Sequence, residues 1–264
     1  MDVLRMARNT FKRSETVESG ILVTDHWSGN YFHWMLDALP RLVVAKQNGV
    51  EAPLLVPGFF LQSRFVAESL QWCGVEYIVA SDDRRQNLGE LVLVSPIGTT
   101  GNPDPVVLRA VASLLTSPLE IPLNPTKKPA SVPSRIWVSR ARARSRRLAN
   151  EEELLPVLEK HGFTVVYSEE LTFASQMLLF HGAQLVAGIH GAGLTNMIVT
   201  HPGAQILEIR TPADSHNNCY FALANACGHL YWYLEVRAEA GKEEGSDYIL
   251  EPKSLDDILC QMLA

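Results

Sequence analysis

Five arginines stand within nine residues, Ser139-Arg140-Ala141-Arg142-Ala143-Arg144-Ser145-Arg146-Arg147, in a chain whose formal net charge is -6. A guanidinium grips a phosphate or carboxylate through two parallel hydrogen bonds, so such a cluster in an acidic chain asks for a local anion. A solvated basic loop is the plain alternative. Nucleic acid is disfavoured, because no aromatic side chains interleave with the arginines to stack on bases. Farther along, Gly188-Ile189-His190-Gly191-Ala192-Gly193-Leu194-Thr195-Asn196 leads from an apolar run into a helical pattern. Backbone N–H groups at a helix start attract anions, and glycines let a phosphate come close. The spacing is neither G-x-G-x-x-G nor a Walker A loop. The same glycines serve equally well in a tight strand-to-helix turn that His190 merely caps.

Two further sets of residues carry candidate chemistry. Within Asn30-Tyr31-Phe32-His33-Trp34-Met35-Leu36-Asp37-Ala38-Leu39-Pro40-Arg41, His33 and Asp37 lie four apart, on one helical face. The pair can relay a proton from an acceptor hydroxyl, or the two can simply satisfy each other in an apolar stretch. Glu208 ends the run Gln205-Ile206-Leu207-Glu208-Ile209, where a strand-end carboxylate can hold ribose hydroxyls or stand solvated. Asn30, Asn217, Asn218 and Tyr220 are weaker candidates, as is His216. No metal site is expected: H-E-x-x-H and D-x-D are absent, and Asp82-Asp83 and Asp256-Asp257 are adjacent pairs. G-x-S-x-G is also absent, which removes the common serine-hydrolase signature.

The elements that must position these residues follow a strand–helix alternation. Strands are expected at Ile21–Thr24, Leu54–Val56, Tyr77–Val79 and Leu91–Val94, with helices after the first two. Five prolines between Pro118 and Pro133 resist both helix and central strand and read as a linker. The alternation then restarts, with strands at 136–139, 163–167, 185–189, 205–209 and 231–234. Helices are expected near 151–161, 173–181, 192–200 and 220–226, with a last one over 254–263. This pattern is a doubly wound parallel sheet of about five strands. The division is therefore 1–120, a linker at 121–134, a second domain at 135–245, and a terminal segment, 246–264, able to pack back on the first half.

With 47% hydrophobic and 20% charged residues, the chain is that of an ordinary globular protein. Cys73, Cys219, Cys227 and Cys260 form neither a C-x-x-C motif nor a disulfide scaffold, which fits a reducing cytoplasm. The first residues lack the apolar run of a signal peptide, and no stretch of about 18 apolar residues occurs. The basic N-terminus (Arg5, Arg8, Lys12, Arg13) leaves peripheral membrane association open.

Taken together, Asn30–Arg41, Ser139-Arg140, Arg147–Glu151, Leu171–Gln176, His190–Asn196 and Leu207–Ile209 closely resemble glycosyltransferase family 61 over about residues 20–237. That family includes plant xylan xylosyl- and arabinosyltransferases, eukaryotic protein O-linked N-acetylglucosaminyltransferases and bacterial capsular polysaccharide proteins. The resemblance implies an α/β fold of GT-B type, two small Rossmann-like domains facing a cleft. It also implies an inverting reaction and a nucleoside-diphosphate-sugar donor, by analogy a UDP-sugar, with no cofactor and no obligatory metal. Carried over, Arg140 and Arg147 would meet the diphosphate and the turn from His190 through Gly191, Ala192, Gly193, Leu194 and Thr195 to Asn196 would cradle it. Glu208 would lie near the nucleoside, with Asp37 or His33 across the cleft beside a glycan or glycolipid acceptor. Eukaryotic members usually carry an anchor or secretory signal, so the expectation here is a compact bacterial, cytoplasmic member acting in surface or capsular polysaccharide synthesis. Two rivals stand beside it. One is a dinucleotide-dependent oxidoreductase or epimerase, and the other a non-catalytic sugar-nucleotide-binding module of a polysaccharide assembly complex.

Overall fold

A computed structural model of the chain describes residues 13–80, 84–120, 132–212, 218–238 and 247–264. The chain divides into two compact units, Met1–Gly98 and Thr99–Ala264. Each is built on a parallel sheet flanked by helices, the mixed α/β architecture of a GT-B-like fold. Among the described residues no helix is long and apolar enough to cross a membrane.

The first unit contains β1 (Arg13–Leu22), β2 (Leu54–Pro57), β3 (Tyr77–Ala80) and β4 (Arg84–Leu93), in the order β3-β2-β1-β4 with every pair parallel. β1 runs beside β4 from Arg13 opposite Arg84 to Leu22 opposite Leu93. Both begin earlier than apolar patterning suggests, because in the first half of β1 only Val17 is buried and the neighbouring Ser14, Glu15 and Thr16 are polar. After β1 the chain enters α1 (Tyr31–His33), a π-helical turn (Trp34–Ala38) and α2 (Leu39–Gln47). Trp34, Met35, Ala38, Leu39 and Leu42 are buried on one side of this run. The Trp34 indole N–H donates to Ser69 Oγ on α3 (Arg64–Trp72) at 2.8 Å, which fixes its rotation. The helix expected after the second strand is divided: Gly58–Gln62 is a 3₁₀ turn and α3 begins at Arg64.

The second unit opens with α4 (Pro105–Glu120), a helix the sequence reading passes over. Its internal proline, Pro118, lies in the last turn and has no N–H for the Leu114 carbonyl, which accepts the Ser117 hydroxyl at 3.1 Å instead. α4 packs on the second unit's own elements, so the boundary lies ahead of the expected one at residue 120. The expected linker at 121–134 falls outside the described residues up to 131. There follow β5 (Arg135–Val138), α5 (Glu151–Lys160), β6 (Thr164–Val166), α6 (Phe173–His181), β7 (Leu185–Ile189), β8 (Gln205–Arg210), α7 (Cys219–Cys227) and β9 (Leu230–Glu235). The sheet order is β6-β5-β7-β8-β9, all parallel, as the five-strand reading requires. A small antiparallel ladder pairs β10 (Arg237–Ala238) with β11 (Tyr248–Ile249), and α8 (Pro252–Leu263) ends the chain. Leu255, Leu259 and Met262 of α8 join Leu154 and Leu158 of α5 and the sheet residues Trp137 and Leu207 in one core. The terminal helix is therefore part of the second unit's core, where its apolar stripe finds α5.

Candidate functional site

In an open parallel sheet, ligands bind at the carboxyl ends of the strands where the chain order reverses, because there the connections leave in opposite directions and open a crevice. In the second unit that point lies between β5 and β7. The segment after β5 begins Ser139-Arg140, and the segment after β7 begins His190-Gly191.

These two segments touch. A Cβ placed on Gly191 would fall 2.2 Å from Arg140 Nη1 and 3.0 Å from its Cζ, so the guanidinium lies directly on the glycine. The Gly191 backbone is extended, with φ at 168°, so it is the closeness of Arg140 that calls for glycine there. Gly188, three residues earlier in β7, answers a similar demand: a Cβ there would meet the Val138 carbonyl oxygen at 2.9 Å. Arg140 is held from behind: its Nε donates to the Arg146 carbonyl at 3.3 Å and its Nη2 to the Ser145 carbonyl at 3.1 Å. Arg146 adopts the left-handed region, φ 56°, within this loop. Burial and the nearby Arg146 charge push the Arg140 pKa down from its ordinary value.

The loop itself is pinned by Glu151, a buried carboxylate. It accepts the Trp137 indole N–H at 2.7 Å and the Ser139 hydroxyl at 2.6 Å. Of the remaining arginines, Arg142 lies over the Tyr167 ring, 4.0 Å from its centroid, and is ion-paired with Glu170. Arg147 forms a forked pair with Asp247, Nη2 to Oδ2 at 2.5 Å and Nε to Oδ1 at 3.1 Å. The two line a pocket of about 490 Å³ with Tyr167, Glu152 and Glu153, a lining that includes no residue of the glycine turn.

Beyond Gly191 the expected α-helix is a 3₁₀ helix, Ala192–Val199, whose first bond runs from Leu194 N–H to the Gly191 carbonyl at 3.0 Å. The N–H groups of Ala192 and Gly193 precede that bond, which leaves them on the anion-binding end of the helix. The side chains of Leu194, Thr195 and Asn196 are buried. Asn196 Nδ2 donates to Gln176 Oε1 at 2.9 Å, and Gln176 in turn donates to the Ser168 carbonyl at 3.0 Å. What the turn offers a ligand is therefore backbone, not side chain.

His190 is buried and tied to Glu208. Its Nδ1 lies 2.5 Å from Glu208 Oε1, and the Glu208 side chain is 1% exposed. The second carboxylate oxygen accepts the Tyr231 hydroxyl. Both oxygens of Glu208 are thus engaged by protein, and its place is behind His190 rather than at an open strand end. With Nδ1–H donating to the carboxylate, Nε2 is the ring's remaining polar atom. Tyr220 packs edge-on against the imidazole at 5.0 Å, and burial pushes its phenol up. Burial and the Glu208 carboxylate also push the Tyr231 phenol up, while Arg210 pulls it the other way. Arg210, buried at the end of β8, donates to Asn218 Oδ1 at 3.1 Å. Asn217 and His216 lie outside the described residues. Arg210 and Tyr231 are site residues that sequence reasoning passes over. The two-residue period of a strand, which puts Glu208 and Arg210 on one face, could have brought Arg210 in.

In the first unit the reversal of strand order falls between β1 and β4, and the loop leaving β1 leads to the helical run with His33 and Asp37. His33 Nδ1 lies 2.7 Å from Asp37 Oδ2, with the side chains 20% and 14% exposed, so the predicted pair forms and keeps a face to solvent. It straddles the π-helical turn, a local irregularity common at functional sites. Trp27, 58% exposed, stacks on the His33 ring at 5.5 Å. Asn30, a weaker candidate, caps α1: its Oδ1 accepts the Phe32 N–H at 2.9 Å. Arg41 reaches back to the β1 loop, donating to the Val23 carbonyl at 2.8 Å and Asp25 Oδ2 at 3.0 Å. Burial raises the Asp25 pKa, but the Trp27 N–H and the Arg41 guanidinium outweigh it and hold the carboxyl below its ordinary 3.8.

The family model for glycosyltransferase 61 matches residues 31–207, a span that takes in the His33–Asp37 pair, the arginine loop and the glycine turn. A Drosophila melanogaster EGF domain-specific O-linked N-acetylglucosamine transferase is 32% identical over 134 residues. That match covers 50% of this chain and 25% of the fly protein, so the chain spans about a quarter of that relative's length. With two-thirds of its length inside the family model, the chain belongs to the glycosyltransferase 61 family.

Proposed function

We propose that the chain is an inverting, metal-independent glycosyltransferase that moves a sugar from a nucleoside-diphosphate-sugar, a UDP-sugar, to a hydroxyl of a glycan or glycolipid in the synthesis of a surface or capsular polysaccharide. The observation that carries this reading is Arg140 laid against Gly191 at the reversal point of the second sheet. A fixed guanidinium and the free N–H groups of a helix start form a site for a diphosphate, the group on which charge builds as the sugar leaves. Ala192 and Gly193 supply the backbone donors, and the His190–Glu208–Tyr231 chain of hydrogen bonds holds His190 beside them.

The proton chemistry belongs to the first unit in this reading. Asp37, oriented by the 2.7 Å bond to His33, takes the acceptor hydroxyl's proton as the oxygen attacks the anomeric carbon. The bond from that carbon to the diphosphate oxygen breaks in the same step, which inverts the configuration. Arg147 has a lesser part, because Asp247 already neutralises it. No cofactor enters the scheme, nucleic acid is not a partner, and a cytoplasmic site, free or at a membrane surface, suits a sugar-nucleotide donor.

The test is incubation with a panel of UDP-, GDP- and CMP-sugars, following nucleotide release with and without acceptor oligosaccharides. UDP-N-acetylglucosamine deserves the first place in the panel, given the fly relative's named activity. Release of UDP from one sugar nucleotide, accelerated by acceptor, is the expected result. Tight nucleotide binding without turnover on any sugar would make the protein a binding module, and bound NAD(P) in the purified protein would make it an oxidoreductase or epimerase.

A further inference from the structure

We infer that His161, Asp256 and Cys260 form a zinc(II) site at the junction of α5 and α8, separate from the proposed sugar-nucleotide site. His161 is the residue that ends α5, while Asp256 and Cys260 lie four apart on α8. That spacing places the last two on one helical face, one turn from each other. A ring nitrogen of His161, a carboxylate oxygen of Asp256 and Cys260 Sγ all lie within 4.8 Å of one another. Linear scanning cannot detect this set, because His161 and Asp256 are 95 residues apart in the chain.

The chemistry of the donors favours zinc over the commoner hard cations. An imidazole, a carboxylate and a thiolate are all zinc ligands, whereas magnesium and calcium take oxygen almost exclusively. Donor atoms around a tetrahedral zinc stand about 3.4 Å apart, given bond lengths of about 2.0–2.3 Å. The 4.8 Å envelope therefore needs only rotamer adjustment, with the 2.6 Å His161–Asp256 contact opening slightly as the metal enters. The backbone is already in place, because Leu255, Leu259 and Met262 hold α8 in the core beside α5. His161 is buried, Asp256 half-buried and Cys260 exposed, so the set faces outward at the rim of that interface and leaves a fourth position to water.

In the metal-free arrangement Lys160 Nζ occupies the Asp256 carboxylate, at 2.7 and 2.8 Å from its two oxygens. The lysine is more than half exposed and can swing into solvent, which makes it a competitor for the carboxylate rather than a block.

The experiment is zinc titration of the full chain, stripped with a chelator and desalted, in competition with a chromophoric zinc indicator, together with the absorption spectrum after cobalt(II) loading. We expect one equivalent of zinc per chain and a cobalt spectrum with a thiolate-to-metal charge-transfer band. Cys260→Ser should abolish that band and weaken zinc at least tenfold, His161→Gln should weaken zinc comparably, and Lys160→Met should tighten it. Thermal unfolding in chelator should be the same for Cys260→Ser and the parent, because the side chain is exposed, and this separates metal loss from misfolding. Absence of zinc binding by the parent at micromolar concentrations, or binding that Cys260→Ser leaves unchanged, would overturn the inference.

Discussion

Replacing Gly191 with alanine should disarm the proposed diphosphate site without unfolding the protein. The new methyl would fall 2.2 Å from Arg140 Nη1, so the guanidinium must retreat by more than 1 Å to reach ordinary contact. A hydrogen bond to a charged group is worth about 1.5–3 kcal/mol, which corresponds to a loss of about 10- to 150-fold in affinity for UDP. The loss in transfer rate should be at least as large, since removing one donor to a developing charge costs about 100-fold or more. The fold should survive with a modest loss of stability: the backbone at 191 is extended, but the displaced guanidinium gives up its bonds to the Arg146 and Ser145 carbonyls, about 1 kcal/mol each. The assays are calorimetric UDP binding and thermal unfolding, run on Gly191→Ala, Arg140→Ala and the double variant. If alanine acts through Arg140, its effect on binding should shrink to within about 0.5 kcal/mol in the Arg140→Ala background. Full affinity in Gly191→Ala, or an equal loss in both backgrounds, would refute the reasoning.

Asp37→Asn should lower transfer by about 100- to 10,000-fold while leaving the dissociation constant for UDP unchanged, measured by nucleotide release and calorimetry side by side. Glu208→Ala should destabilise the fold by about 2–5 kcal/mol in urea titration, because it strands both His190 Nδ1 and the Tyr231 hydroxyl in a buried place. Tyr231→Phe should cost only about 1 kcal/mol, since it removes one donor from a carboxylate that keeps His190. Burial pushes the thiols of Cys73, Cys219 and Cys227 up to about 12, so at pH 8 only about one in ten thousand is thiolate. Iodoacetamide applied to the native protein in chelator should therefore label Cys260 first, as peptide mass spectrometry would show. The Asp25–Arg41 pair depends on pH in a defined sense. The folded pKa of Asp25 is depressed, so its stabilisation is present above about pH 4 and lost as pH falls through the folded value. The stability gap between the parent and Asp25→Asn should close in that acidic range.

The second unit was far more legible in the sequence than the first. Leu185–Ile189 is buried on both faces and reads as an unbroken apolar strand, and in Gln205–Arg210 the apolar Ile206, Leu207 and Ile209 carry the same signal. The first half of β1 and of β4 is largely polar and pairs mainly with itself, which leaves no apolar signal to find. α4 escapes a reading in which Pro118 and the prolines after it mark a linker, because Pro118 stands inside the helix's last turn. The site residues divide in the same way. The spacing of His33 and Asp37 predicts a contact that the structure shows, whereas the glycine turn reads as room for a phosphate, and the neighbour found on Gly191 is Arg140, which emerges only from the strand order. Glu208 was visible as a strand-end acid, but its engagement by His190 and Tyr231 depends on neighbours 18 and 23 residues away that no local pattern connects. Arg147 looked equivalent to Arg140 in sequence, and it is Asp247, exactly 100 residues on, that sets it apart.

The most direct test of the diphosphate site is equilibrium binding of UDP to the parent chain and to Arg140→Ala. The parent should bind UDP with a rise in unfolding temperature that grows with ligand concentration, and Arg140→Ala should bind at least tenfold more weakly. Failure of the parent to bind any nucleoside diphosphate, or equal affinity in the two proteins, would contradict the assignment of Arg140 and the glycine turn as the grip on the leaving group.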